Sequence, residues 1–146
     1  MEIDLCDYAL KLLAISAGTY FWMWYLVWEY EHEQRKFPYY SSAAISEGRL
    51  LIGGRDKMLH AIDAESGEAV WTYRTRARID SSPVVIGDRV FFGASTGEIF
   101  ALDVASGEVA WQFETGSSIV ASPSVAGGKL VIGTEDGQVY CFGEAR

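Results

Sequence analysis

The stretch AIDAESGEAVW at residues 61–71 returns as ALDVASGEVAW at residues 101–111, with the acid, the Ser-Gly pair and the tryptophan in step. A spacing of 40 residues is far too long for a helical or strand period, so it marks a whole folding unit. Flanking segments match at the same shift: SSAAI at 41–45, SSPVV at 81–85 and ASPSV at 121–125. The sequence therefore contains three copies of one unit.

Each unit has the pattern of short β-strands. Runs rich in Val, Ile, Leu and Phe alternate with Gly, Ser and Asp turn signals at roughly ten-residue spacing. The middle unit predicts four strands, at about 81–86, 89–94, 98–103 and 108–114. Four antiparallel strands per unit of about forty residues are typical of a β-propeller blade. We therefore predict an all-β fold, a partial β-propeller of about three four-stranded antiparallel blades, at about 41–75, 81–114 and 121–143.

The repeated phrase contains the residues that we expect to hold neighbouring blades together. Its acid can accept bonds from backbone N–H groups across the turn between the third and fourth strands, where the glycine takes a positive φ. Its tryptophan begins the outer strand, covers the flank of the next blade and needs an acceptor for its ring N–H. The predicted docking residues are Ala61, Asp63, Gly67, Trp71, Ala101, Asp103, Gly107 and Trp111.

The pattern Ala-x-Asp-x-x-(Ser/Thr)-Gly-x-x-x-Trp resembles the tryptophan-docking repeat of quinoprotein-like β-propellers, over roughly residues 26–146. That family includes dehydrogenases that use pyrroloquinoline quinone (PQQ) and the non-enzymatic BamB-type outer-membrane assembly proteins, to which this sequence is closest in character. Docking residues are structural in the family, so the resemblance carries fold far more than chemistry. It implies a scaffold of the cell envelope or periplasm that binds a protein partner and no cofactor. The alternative is a fragment of a PQQ- and calcium-dependent dehydrogenase.

The units at the two ends are incomplete. The segment LVWEYEHE at 26–33 resembles an outer strand without a blade of its own, and the last unit has neither a fourth strand nor a tryptophan. We expect the chain to be the carboxyl-terminal part of a propeller. Missing blades, or self-association through the open edges, would then cover its unpaired sheets. An open stack of three blades is the alternative.

The first 25 residues differ from the rest of the chain. Residues 12–28 run for seventeen positions without a charge, which is the lower bound for a membrane-spanning helix. Aromatic side chains gather at one end, as they do at a membrane interface. Three interpretations stay open for this apolar, helical segment: a membrane or interfacial helix that anchors the chain, a cover packed against the first blade, or a non-native start.

Little in the sequence points to catalysis. A quinoprotein site needs calcium held by carboxylate and amide oxygens, yet the chain has no Asn and no adjacent cysteine pair. We predict no catalytic, metal or cofactor residue; PQQ and calcium belong to the dehydrogenase alternative alone. His60 aligns with Phe100 and Tyr140, which predicts a half-buried packing role. Cys141 stands where the other units have alanine, which predicts a small buried side chain. The net charge of −8 argues against nucleic acid.

A basic rim is the one candidate recognition feature. The turn GGRDK at 53–57 and the segments that link blades should share one face of the propeller. Seven of the twelve basic residues fall there, whereas the corresponding segments of the later blades have none. Such a rim suits an acidic partner or an anionic ligand. Alternatively it is a solvated surface balanced by nearby acids, namely Glu31, Glu33, Asp56 and Asp80. The candidate partner-binding rim is Arg35, Lys36, Arg55, Lys57, Arg76 and Arg78, with Arg74 beside it.

Overall fold

The computed structural model describes residues 26–31 and 37–143, and within them it contains three antiparallel sheets. The first sheet has strands β1 (Ala44–Ser46), β2 (Arg49–Gly53), β3 (Met58–Asp63) and β4 (Ala69–Arg74). The second has β5 (Val84–Ile86), β6 (Arg89–Gly93), β7 (Glu98–Asp103) and β8 (Val109–Glu114). The third has β9 (Ser124–Ala126), β10 (Lys129–Gly133) and β11 (Val139–Gly143). Each sheet is a meander of neighbouring strands, so the predicted all-β, partial-propeller fold is confirmed.

The two complete blades share one register. Ala61 lies opposite Trp71, and Ala101 lies opposite Trp111, with an irregularity just after each alanine. Paired residues in a sheet point to the same face. The side chains of the alanine and the tryptophan in each blade therefore point to the same face of the sheet, and the small alanine leaves room for the large indole.

Two apolar cores separate the three sheets. The first lies between the first and second sheets, and the second between the second and third. Members of the first core include Leu51, Leu59, Val90, Phe92 and Leu102. Members of the second are Ile99, Ile119, Leu130 and Ile132. The alternation of side chains along a strand explains how the middle sheet serves both cores, since Val90 and Phe92 face one neighbour and Phe91 faces the other.

The glycines that end the second strands are required by close packing. A Cβ on Gly53 would lie 2.3 Å from Cγ2 of Ile79, and a Cβ on Gly93 would lie 2.3 Å from Cγ2 of Ile119. The segment that links two blades thus passes directly over the backbone of the earlier blade. At Gly133 the nearest atom would be the carbonyl oxygen of Gln138, at 3.8 Å.

The structure corrects the predicted strands at two places. The innermost strand of the middle blade begins at Val84 and not at residue 81. Pro83 has no N–H to offer, and the N–H of Gly93 bonds the hydroxyl of Ser81 at 3.2 Å, which takes the place of a ladder bond. The outer strand predicted at 26–33 is absent over residues 26–31, because no other strand lies beside them for pairing within the described residues. Residues 32–33 are not among the residues that the structure describes.

The predicted segment 1–25 also lies outside the described residues, as do Arg35 and Lys36. Across residues 26–31 and 37–143 the structure has no helix long and apolar enough to span a bilayer.

Candidate functional site

The turn between the third and fourth strands is built around an aspartate. Oδ1 of Asp63 accepts the backbone N–H groups of Glu65 at 3.1 Å and Ser66 at 2.8 Å, and the hydroxyl of Ser66 at 3.0 Å. Asp103 accepts the same three bonds from Ala105 and Ser106. These donors, led by the serine N–H, hold the pKa of both carboxyls below the usual range. The acid of the repeat is therefore occupied in shaping its own turn.

Trp71 joins the first blade to the second. Its Nε1–H donates to the carbonyl oxygen of Val104 at 3.1 Å, and its ring covers Gly107, where a Cβ would lie 2.6 Å from Cδ2 of the indole. Trp28 makes the same contact one blade earlier, because its Nε1–H donates to Ala64 at 3.0 Å and its ring covers Gly67. Residues 26–31 thus contribute a docking tryptophan without belonging to a strand.

Trp111 is placed differently from Trp71. Its side chain is 36% exposed, stacks on Phe113 with ring centroids 6.1 Å apart and meets the edge of Phe142 at 5.1 Å. Among the described residues no acceptor lies against its ring N–H. The turn that would receive it corresponds to residues 143–146, of which only Gly143 is described. Trp111 instead borders an open apolar cavity of about 290 Å³ between the second and third sheets.

We expect Gly107→Ala to lower the free energy of unfolding by about 2 to 3 kcal/mol, the sum of left-handed backbone strain and overpacking against an indole. Gly107 has a φ of 75° and lies under Trp71. Gly116 is a matched control, because its φ is 82° and a Cβ there would meet no atom within 4 Å. Gly116→Ala should therefore cost only the backbone strain, about 1 kcal/mol. Equal losses in urea titrations of the two variants would contradict the docking contact.

A series of serine contacts also connects the three blades. The backbone N–H of Ser42 donates to the hydroxyl of Ser82 at 2.8 Å, and that of Ser82 donates to the hydroxyl of Ser122 at 2.9 Å. Our sequence prediction missed this role, although the signal was there: the three serines stand 40 residues apart in the aligned segments. The register identified equivalent positions but not which of them touch.

The basic rim is partly neutralised by a buried acid. The Nε and Nη2 groups of Arg55 donate to Asp80 at 2.9 and 3.1 Å, and Nε of Arg78 donates to the same carboxylate at 2.9 Å. The Asp80 side chain is only 6% exposed. The guanidinium of Arg55 also lies 4.0 Å over the ring of Tyr40. The Arg55 hydrogen bond, above all, lowers the pKa of Asp80, and it raises the pKa of Arg55.

Other members of the rim extend into solvent. The backbone bonds from Thr75 to Lys57 and from Ile79 to Gly54 bring the turn and the blade-linking segment together on one face. Arg76 reaches Glu98 at 3.7 Å, yet its own side chain is 78% exposed. Within the described part of the chain, Lys57 and Arg74 have no acidic partner. The structure thus groups Arg55, Lys57, Arg76 and Arg78 on one surface, as the topology of the strands requires.

We expect Asp80→Asn to destabilise the protein by about 1 to 2 kcal/mol at neutral pH, allowing for screening of the half-exposed arginines. Because the folded-state pKa of Asp80 is lowered, its stabilising contribution is present above the unfolded pKa of about 3.9 and is lost as the pH falls through the folded pKa. Urea titrations at about pH 7 and about pH 3 should show the difference between variant and parent shrinking in acid. Asp88, which is 71% exposed, supplies the control, since Asp88→Asn should change stability by less than about 0.5 kcal/mol. An Asp80→Asn difference that is the same at both pH values would contradict this account.

His60 and Cys141 differ from expectation. His60 is fully buried, not half-buried; its Nε2 lies 2.7 Å from Asp56, and its Nδ1 lies 3.2 Å from the hydroxyl of Tyr30. Tyr39 closes the cluster edge-on at 5.7 Å, and burial, followed by the Asp56 charge, raises the pKa of Tyr39 to about 12.

Cys141 is exposed, because no described strand lies beyond β11. Residues 26–31 and 37–143 contain no group of three or more His, Cys, Asp or Glu side chains that could hold a metal.

Comparison with known proteins agrees with the geometry of the docking turns. The family model of the outer membrane protein assembly factor BamB matches residues 25–144. The crystal structure of BamB from Moraxella catarrhalis is 27% identical, with a TM-score of 0.62 over 68% of this chain and 32% of that chain. The quinohemoprotein alcohol dehydrogenase ADHIIG from Pseudomonas putida HK5 is 22% identical, with a TM-score of 0.65 over 70% of this chain and 18% of that chain.

The computationally designed Ika4 protein is 16% identical and has a TM-score of 0.62 over 70% of this chain and 64% of that chain. The likenesses to ADHIIG and Ika4 concern the fold alone. The chain spans about a third of the BamB structure, 32%, and less than a fifth of the dehydrogenase, 18%. No curated protein matches the chain.

Proposed function

The chain belongs to the family of the outer membrane protein assembly factor BamB, and from this premise we propose that it is a non-catalytic propeller module that binds a protein partner in the cell envelope. The partner would be acidic and would meet the rim formed by Arg55, Lys57, Arg76 and Arg78. The proposed compartment is the periplasm, because the family model bears the name of an outer membrane assembly factor.

The observation that carries this proposal is that four acidic side chains bind donors within the same chain. Asp63 and Asp103 shape their own turns, Asp80 binds two arginines, and Glu98 accepts bonds from Thr96 and Gln112. Each of these acids accepts hydrogen bonds from neighbouring donors of the same chain, although in Asp63 all of them reach Oδ1. Such an arrangement supports a rigid frame that presents a surface, because a carboxylate that already accepts such bonds is less available to bind a metal or take a proton.

The rim has the properties of a preformed docking surface. The buried Asp80 fixes the orientation of Arg55 and Arg78, so fewer side chains have to be ordered when a partner binds. Lys57, Arg74 and Arg76 add exposed positive charge beside them. Clustered charge on an otherwise acidic protein would increase the rate of encounter with an acidic partner and make binding sensitive to salt.

Capture of the partner tests the rim. The immobilised chain should retain components of an outer membrane protein assembly complex from solubilised envelope extract, and it should retain less at high salt. The triple variant Lys57→Ser, Arg74→Ser and Arg76→Ser should lose most of this capture. A matched control is Arg49→Ser, Arg89→Ser and Lys129→Ser, which removes the same charge at the opposite ends of the second strands. Unchanged capture by the rim variant, or an equal loss in the control, would contradict the proposal.

The dehydrogenase alternative has its own test. PQQ and calcium added to the chain should produce neither a saturable change in absorbance nor dye-linked oxidation of an alcohol. A saturable signal would replace the scaffold proposal with the quinoprotein one, whatever the rim variants do.

A further inference from the structure

The turn between the second and third strands of the first blade contains a lysine where the other blades have glycine. Lys57 has a φ of 71°, and at the same position of the later units Gly97 has a φ of 94° and Gly137 a φ of 86°. In this left-handed region the Cβ of an L-residue is crowded by the following carbonyl oxygen, and glycine avoids the clash. The first blade therefore contains backbone strain that the other two blades avoid.

A second unfavourable feature coincides with the strain. The carbonyl oxygen of Lys57 accepts the backbone N–H of Thr75 at 2.8 Å and the Thr75 hydroxyl at 3.0 Å. Lys57 thus lies beside the chain neighbours of Thr75, which are Arg74 and Arg76, and like charges this near to one another repel. All three side chains are exposed. Among the described residues only Arg76 has an acidic neighbour, Glu98 at 3.7 Å.

The second blade builds the same turn without these charges. Its equivalent residues are Gly97, Glu114 and Gly116. The backbone N–H of Thr115 still donates to the carbonyl oxygen of Gly97 at 2.8 Å, and the Thr115 hydroxyl donates to it at 2.9 Å. Folding of the turn against the linking segment therefore does not require the three cations, and their presence in the first blade calls for another reason.

We propose that Lys57 determines how tightly the rim binds its partner, and that the group it binds is a carboxylate within a run of acidic side chains. This inference rests on the proposed function, because it takes the partner of the rim to be acidic. Residues other than glycine that are held at positive φ cluster at binding sites, where the strain serves the function. An acidic segment lying among Lys57, Arg74 and Arg76 would also relieve their mutual repulsion.

Lys57 is distinguished from the other cations of the rim by its surroundings. Arg55 and Arg78 already bind the carboxylate of Asp80, so part of their charge is neutralised before a partner arrives. The ammonium group of Lys57 has no such acid among the described residues. It is a compact point charge on a flexible stem, and it can meet a carboxylate without releasing an existing ion pair.

Lys57→Gly separates a binding role from a structural one. Glycine removes both the strain and the repulsion, so this variant should have a higher urea midpoint than the parent. It also removes the ammonium group, so fluorescence anisotropy should show a labelled peptide of six glutamates binding about tenfold more weakly at low salt, the loss of one charge-assisted contact. Lys57→Arg retains the charge and the strain, and it should retain most of the binding.

Glu47 supplies the matched control for strain. Its φ is 51°, and Gly87 and Gly127, with φ values of 57° and 55°, take its place in the later units. It lies in the turn between β1 and β2, at the opposite end of β2 from Lys57. Glu47→Gly should raise the urea midpoint as Lys57→Gly does and leave peptide binding unchanged. Lys129→Ser, which removes a cation at the start of β10, controls for net charge and should also bind as the parent does.

Several results would overturn this inference. They are a parent chain that does not bind the glutamate peptide, a Lys57→Gly variant that binds it as tightly as the parent, and a Lys57→Gly variant with a lower urea midpoint. An equal loss of binding in Glu47→Gly or Lys129→Ser would also do so, because it would trace binding to turn flexibility or overall charge. The proposed function fails on a different result, which is unchanged capture from envelope extract by the triple rim variant.

Discussion

Replacing Trp71 with alanine should lower the free energy of unfolding by about 3 kcal/mol, as truncations of packed aromatic side chains do. The indole packs against the first core, covers Gly107 and donates to Val104 at 3.1 Å. Its removal leaves a cavity between two blades and a carbonyl oxygen without its donor. Urea titration followed by circular dichroism measures the loss.

Two further variants identify the source of that loss. Trp71→Phe retains a ring and removes the N–H, so it should cost about 1 to 2 kcal/mol. Trp111→Ala removes the same side chain from the equivalent position of the next blade, where the ring is 36% exposed and docks on no described turn. Its cost should be about 1 kcal/mol, for lost aromatic contacts alone. If Trp111→Ala destabilises as strongly as Trp71→Ala, docking is not the reason for the effect.

Gly93→Ala should destabilise the protein by about 2 to 3 kcal/mol through overpacking. The added methyl group would lie 2.3 Å from Cγ2 of Ile119 and 3.3 Å from Cδ1 of Ile132. Both side chains belong to the core between the second and third blades. Neither can move away without pushing the linking segment off the sheet, so we expect a lower urea midpoint together with reduced protection of this core from amide exchange.

Gly133 provides the matched control, because it stands at the same position of the next unit. A Cβ there would approach only the carbonyl of Gln138, at 3.8 Å. Gly133→Ala should therefore be neutral or stabilise by a few tenths of a kcal/mol, since alanine restricts the unfolded chain. Similar losses at both glycines would show that backbone freedom, and not the close approach of Ile119, explains the requirement for glycine.

The 40-residue register was enough to predict the sheets, because strand alternation and turn chemistry are local and repeat in step. It also identified the loop face, since hairpin topology alone brings the 53–57 turn beside the blade-linking segment. A register compares positions, however, and equivalent positions can have different surroundings. Trp71 and Trp111 occupy one position of the repeat, and only Trp71 has a described turn to dock on.

Burial at the ends of the stack could not be predicted for the same reason. The alignment of His60 with Phe100 indicated half-burial, but His60 is fully buried, with Tyr30 and Tyr39 packed edge-on against its ring. Cys141 aligned with buried alanines and is exposed. The sequence placed Asp80 among the acids that could balance the rim, but it did not show that Asp80 binds Arg55 across 25 residues of sequence. Contacts of this kind depend on three-dimensional neighbours that no local pattern encodes.

The serine series from Ser42 through Ser82 to Ser122 has a direction, since each blade donates one N–H to the blade that follows. Because every contact in this series is the same, the contacts themselves do not determine how many blades follow one another. The number of blades in a ring must then depend on the angle between successive sheets, since a ring closes when these angles sum to a full turn. Evolution can lengthen or shorten such an arc by whole-unit duplication or deletion without inventing a new joint.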